Sequence, residues 1–218
     1  MATTTLSEQI YRELYRDITE QKLVCGQKLT LSLLKERFQV SHTPIREALM
    51  RLAENGLVTY NTNSSVTVTE FEEQDICQLF QFAAELDSMA IRFCENNVNR
   101  MLLILDLEES IEAGNAMLEA GDEDRWKEYS DQIHMVFYRH AKNNYLTEAS
   151  ERLRARIDVL SCMYYNSESI RKINNDHIAI FEEVQAGRFA EAAALMRKHL
   201  QYDMAYALKA YNAYKKRK

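Results

Sequence analysis

Only one proline and five glycines punctuate this chain of 218 residues. All-β sandwiches and barrels need turn residues every few positions, so such scarcity leaves helices as the dominant element. The proline, Pro44, falls within VSHTPIREALMRLAENGLV (residues 40–58). It suits a first helical turn there, because the N–H it lacks would have no intrahelical acceptor anyway. Ser41 or Thr43 can cap that turn, Ile45, Ala48, Leu49 and Leu52 repeat on one face, and Gly56 stops the run.

Those features make residues 40–58 the second half of a helix-turn-helix that runs into a wing strand. Such a helix buries its apolar stripe and offers Ser41, His42, Thr43, Pro44 and Arg46 at its N-terminal end. Hydroxyls, helix N-terminal amides and a guanidinium bond phosphates, and arginine also reads guanine bidentately in a major groove. Taken alone, a capped amphipathic helix is more often an ordinary packed element, so the flanking sequence matters. Residues 6–21 carry Ile10, Leu14, Tyr15 and Ile18 on one helical face. A short bridge at 28–31 follows, and then Leu33, Leu34, Phe38 and Val40 form the buried side of a support helix. Residues 57–60 and 66–69 alternate as two strands around a polar loop holding Thr62, Asn63 and Ser64.

Charge divides unevenly. The net charge is −6, from 27 Lys and Arg against 33 Asp and Glu. Residues 1–70 hold eight of each sign, so the remainder carries the whole excess, 19 against 25. A neutral nucleic-acid module grips DNA modestly and salt-dependently, which favours sequence-specific dimeric binding over coating. No apolar run reaches membrane-spanning length and no signal-peptide pattern opens the chain, which predicts a cytoplasmic protein. Cys25, Cys77, Cys94 and Cys162 lie too far apart for a zinc knuckle and read as reduced core residues.

From residue 73 onward the pattern is helical, with breaks near 96–100, Gly121, Asn143, Asn166 and Gly187, giving about six helices. The first is apolar through Leu79, Phe80, Ala83, Leu86, Ala90 and Phe93. The predicted fold is therefore mostly α, with a winged helix-turn-helix domain over residues 1–70 and an antiparallel all-helical bundle over 71–218 whose interior can hold a ligand or metal. His134, His177 and His199 fall on three separate helices of that bundle, while His140 points elsewhere and reads as structural.

The N-terminal stretch resembles the winged-helix domain of the GntR family of bacterial transcription regulators. The resemblance rests on Val40 and Ser41, the run Thr43, Pro44, Ile45, Arg46, Glu47, Ala48 and Leu49, then Leu52, Gly56, Leu57 and Val58. It implies that Ser41 to Pro44, Arg46 and Ser32 face DNA, with Thr62, Asn63 and Ser64 at the wing, and that Glu47 is structural. The chain departs at His42, where arginine is usual, at Ser32 and Cys25, and in a wing without a basic residue.

The C-terminal region resembles the FCD-type ligand domain of the same regulators, in which a carboxylate four residues before a histidine joins two later histidines. It implies a site at His134, His177 and His199 for zinc, nickel or iron. Ser130 stands where the carboxylate would be, so Asp131 or Asp203 becomes the candidate replacement. Tyr129, Ser130 and Arg156 are the candidate ligand-binding residues. Many such domains carry an arginine about one turn before the position of Leu86, and its absence here implies a different or less charged effector.

The expected protein is a homodimeric regulator, acting as a repressor, that binds palindromic operator DNA under control of a small metabolite, read as an organic acid. Two other readings are a metal-dependent helical enzyme built on the three histidines, and a DNA-free interaction protein using the wing.

Overall fold

The computed structural model describes residues 5–61, 65–96 and 99–217. The fold is mostly helical and divides into two compact units, Met1–Ile76 with Glu151–Met163, and Cys77–Ser150 with Tyr164–Lys218. The contiguous division at residue 70 read from the sequence does not include Glu151–Met163.

In the first unit, α1 (Leu6–Thr19) starts where the Thr5 side chain accepts from the Glu8 amide, and it buries Ile10, Leu14 and Ile18. Then follow β1 (Lys28–Leu29), α2 (Leu31–Phe38), α3 (His42–Glu54), β2 (Val58–Tyr60) and β3 (Val66–Val68). The strands form an antiparallel sheet in the order β1-β3-β2, with Thr67 opposite both Lys28 and Thr59. Helix α3 buries Ile45, Ala48, Leu49 and Leu52, the stripe expected from its spacing. It ends as left-handed Gly56 (φ 69°) turns the chain and Leu57 donates to the Leu52 carbonyl at 2.8 Å, the bond that satisfies a helix-end carbonyl.

The support helix differs from expectation. Leu34 is buried, whereas its neighbour Leu33 is 60% exposed. Adjacent residues on a helix are about 100° apart, so the short α2 turns one of the two toward the core. The same geometry leaves Phe93 exposed while Leu79, Phe80, Ala83, Leu86 and Ala90 are buried.

Six helices follow the sheet among the described residues: α4 (Glu73–Cys94), α5 (Arg100–Glu119), α6 (Glu123–Ala141), α7 (Asn144–Tyr164), α8 (Ser167–Gln185) and α9 (Phe189–Lys215). Their breaks have local causes. Gly121, Lys142 and Gly187 adopt positive φ, and Asn166 forms a capping box with Ser169 at the start of α8, which satisfies amides that no helical carbonyl reaches. At the other end of α8, Arg100 from α5 donates to the carbonyls of Val184 and Gln185 at 3.2 and 3.1 Å. The core of the second unit is filled by Trp126, Phe137, Tyr138, Leu200 and Tyr211, all buried. It also encloses polar side chains from α4, α6, α8 and α9.

Candidate functional site

The first candidate site is the N-terminal end of α3. Ser41 occupies the N-cap with extended backbone, and its hydroxyl makes no capping bond to the helix. Ser41, His42, Thr43 and Arg46 are exposed, Pro44 is half-buried, and Ser32 is exposed on α2. The buried stripe fixes which way this polar end faces. Glu47 is exposed. The wing candidates Thr62, Asn63 and Ser64 lie outside the described residues.

Several cations of this unit are committed to acids. Arg12 and Arg51 both pair with Glu8, holding its carboxyl below the usual range, and Arg37 pairs with Glu13 and Asp17. Arg51 also lies over the Tyr11 ring, 4.2 Å from its centroid.

The second candidate site lies inside the second unit. His134 from α6, His177 from α8 and His199 from α9 converge, with one ring nitrogen from each within 4.8 Å of the others. Their exposures are 4%, 4% and 1%. Buried imidazoles need partners, and those beside His134 and His199 differ. His134 Nδ1 lies 2.7 Å from Asp87 Oδ2, and Tyr138 donates its hydroxyl to Asp87 Oδ1 at 2.5 Å. An ionised carboxylate only accepts, so Nδ1 carries the proton and Nε2 is left as the donor to a metal. His199 Nδ1 is 3.5 Å from Asp176 and its Nε2 is 3.5 Å from Asp203, but neither nitrogen makes an aligned hydrogen bond.

Burial opposes protonation of His199, but Asp203 and Asp176 outweigh it and hold its pKa above the ordinary imidazole value. Burial likewise opposes ionisation of Asp176, yet His199 and Lys172 bring its pKa below the usual carboxylate value. Three buried imidazoles that converge, with acids beside His134 and His199, fit a borderline divalent ion. The residues that could hold it are His134, His177 and His199.

The remaining candidates separate. Asp131 is half-buried and not one of the convergent ligand groups, while Asp203 approaches His199. Tyr129 and Ser130 line a cavity together with His177, Trp126 and Asn174. Arg156 is not among its lining residues; it lies in the first unit, over the Phe71 ring. His140 pairs with Asp106 at 2.7 Å. The residue that sequence reasoning missed is Asp87. No local spacing ties it to His134, 47 residues further along the chain.

A winged helix joined to a helical domain with a buried histidine cluster defines a ligand-responsive class of transcription regulator. The chain belongs to the GntR family: the model described as "Bacterial regulatory proteins, gntR family" matches residues 6–68, and the FCD domain matches residues 78–202. It is a DNA-binding transcription regulator and not an enzyme. Among similar proteins, the HTH-type transcriptional repressor GlaR of Escherichia coli K12 is 27% identical over 203 residues, covering 87% of this chain and 90% of that protein. The repressor RspR of the same organism is 24% identical over 200 residues, covering 91% and 87%. The solved structure of E. coli McbR/YncC superposes with a TM-score of 0.80 at 21% identity, covering 96% of this chain and all of that one, and so shows the same fold. No helix among the described residues is long and apolar enough to cross a membrane.

Proposed function

We propose that the protein is a homodimeric repressor that binds a palindromic operator through α3 and releases or rearranges on it when a small metabolite enters the histidine-bearing unit. The observation that carries the DNA assignment is the exposed polar end of α3, with Ser41, His42, Thr43 and Arg46 presented by a helix whose other face is buried. Relatives named as repressors support the direction of control. A twofold operator calls for two copies. An apolar stripe of α4 fits that need, with Phe82, Met89 and Phe93 53%, 37% and 43% exposed.

The metabolite is read as an organic acid, and a zinc, nickel or iron ion on the three histidines would supply the Lewis acid that binds a carboxylate. Ligand can shift the operator equilibrium only through unequal affinity for two arrangements of the dimer. Selection of genomic DNA fragments by the native protein, followed by footprinting, tests the proposal. A protected twofold-symmetric site, lost in Arg46→Ala, is expected. Binding that is unchanged in that variant removes α3 from the groove.

A further inference from the structure

The C-terminal end of α3 is held by side chains from two other helices of the first unit. Tyr11 and Tyr15 are half-buried on α1, at a spacing that puts them on one face, and their ring centroids are 5.9 Å apart. Asn55, the C-cap of α3, donates its side-chain amide to the Tyr11 hydroxyl at 2.8 Å. Arg51, in the last turn of α3, lies over the same ring while it pairs with Glu8. The Tyr15 hydroxyl in turn donates to Asp158 of α7. Arg156, on the same helix, packs beside Gly56 just past the end of α3, where a Cβ would lie 3.1 Å from its Cδ.

We infer that Asp158, Tyr15 and Tyr11 are positioning residues for DNA recognition: they set the tilt of α3 from its far end, which makes α7 a working part of the DNA-reading unit. The inference rests on α3 as the helix that enters the groove and goes beyond it by naming what aims that helix. The stripe of Ile45, Ala48, Leu49 and Leu52 decides which face α3 buries, but apolar burial is non-directional and tolerates small rotations. Hydrogen bonds have preferred lengths and angles, so the polar contacts at Asn55 and Arg51 define the remaining angle.

Small tilts matter at the other end. Arg46 lies nine residues before Asn55, about 13 Å at 1.5 Å per residue. A tilt of about 5° about Asn55 moves Arg46 by about 1 Å, more than the spread of good hydrogen-bond lengths. Residues Glu151–Met163 of α7 belong to the first unit and the rest of that helix to the second. A tyrosine side chain is rigid beyond its two torsions, so a displacement of Asp158 is passed to α1 and α3 more than it is absorbed.

Tyr11→Phe and Tyr15→Phe keep each ring and remove the hydroxyl. The whole chain is titrated onto a selected genomic fragment and onto a shuffled fragment of equal length in the same salt. Loss of folded protein lowers both affinities by one factor. A tilted α3 lowers only the specific one, because attraction to phosphates carries no sequence information. Each variant should lose about tenfold on the selected fragment and stay within about twofold on the shuffled one. Asp158→Ala should show the same split, and adding Tyr15→Phe to it should cost nothing further, since both act through one contact. Equal losses on the two fragments, or a second full loss in the double variant, overturn the inference. Arg46→Ala separates the two readings. Specific binding kept in Arg46→Ala removes α3 from the groove and this inference with it, whereas specific binding lost there but intact in both tyrosine variants overturns this inference alone.

Discussion

Asp87 on α4 and His134 on α6, 47 positions apart, meet in the buried interior at 2.7 Å, with Tyr138 holding the other carboxylate oxygen. The carboxylate fixes the imidazole's tautomer and rotation before any ion arrives. Asp87→Asn keeps the volume and removes the charge that orients Nδ1–H. The expected result is about a 10–100-fold loss of metal affinity in competition with a chromophoric chelator. His134→Ala should abolish binding altogether. Unchanged affinity in Asp87→Asn would show that the aspartate only packs.

Chelation offers a second check. An ion that binds the folded histidine cluster and not the unfolded chain stabilises by about 2.7 kcal/mol at a hundredfold excess over Kd. Stripping it should lower the melting temperature by several degrees, on the order of 2–4 °C per kcal/mol for a chain of this size. Re-addition of zinc, nickel or iron should restore it, and the metal giving the largest restoration is the best match to the site. A melting curve indifferent to both steps argues against a resident ion.

Gly56 holds φ at 69°, and a Cβ there would lie 3.1 Å from Arg156 Cδ. Gly56→Ala therefore combines a left-handed backbone with a crowded neighbour. A loss of about 1–2 kcal/mol from the backbone alone is expected in urea unfolding, with the C-terminal turn of α3 disturbed. If the variant is as stable as its parent, the turn relaxes at no cost.

The legible and illegible parts of this molecule divide by range. Pro44, the Ile45, Ala48, Leu49 and Leu52 stripe and Gly56 are local signals, and helix α3 follows them residue for residue. The bundle's breaks were also legible, because Gly121 and Gly187 take positive φ and Asn166 caps. The three histidines were drawn together by a family resemblance, which compresses tertiary information into spacing. Asp87 had no such route, since its approach to His134 depends on how α4 and α6 pack. Asp131 shows the converse: one residue along from Ser130 is about 100° around the helix, so Ser130 lines the cavity while Asp131 does not. Arg156 was unassignable because α7 contributes Glu151–Met163 to one unit and its remainder to the other.

Burial pushes the Cys94 thiol up to about 12, and the side chain is fully buried with Sγ 3.3 Å from the Phe137 carbonyl. At pH 8 roughly one such thiol in ten thousand is ionised, and thiolate is the nucleophile. Iodoacetamide should label half-buried Cys77 and Cys162 in the native protein long before Cys94 or buried Cys25. Peptide mass spectrometry over a time course reads the order directly. Early modification of Cys94 would mean that its surroundings open on that timescale.

The end of α3 carries one cation, Arg46, and an imidazole, His42, within the first five helical residues. If Arg46 reads a base, Arg46→Ala should cost about 1–3 kcal/mol on the operator and relax specificity at one position; if it binds phosphate, the loss should be uniform across sequences and the salt slope should fall by about one. His42→Arg is the complementary change. Each added phosphate contact contributes about 0.9 to the dependence of log K on log salt, so this variant should bind more tightly at low salt and lose affinity more steeply as salt rises. Both slopes come from the same series of operator titrations. A His42→Arg slope equal to that of the parent would place residue 42 away from the phosphates, and specificity would then rest on Ser41, Thr43 and Arg46.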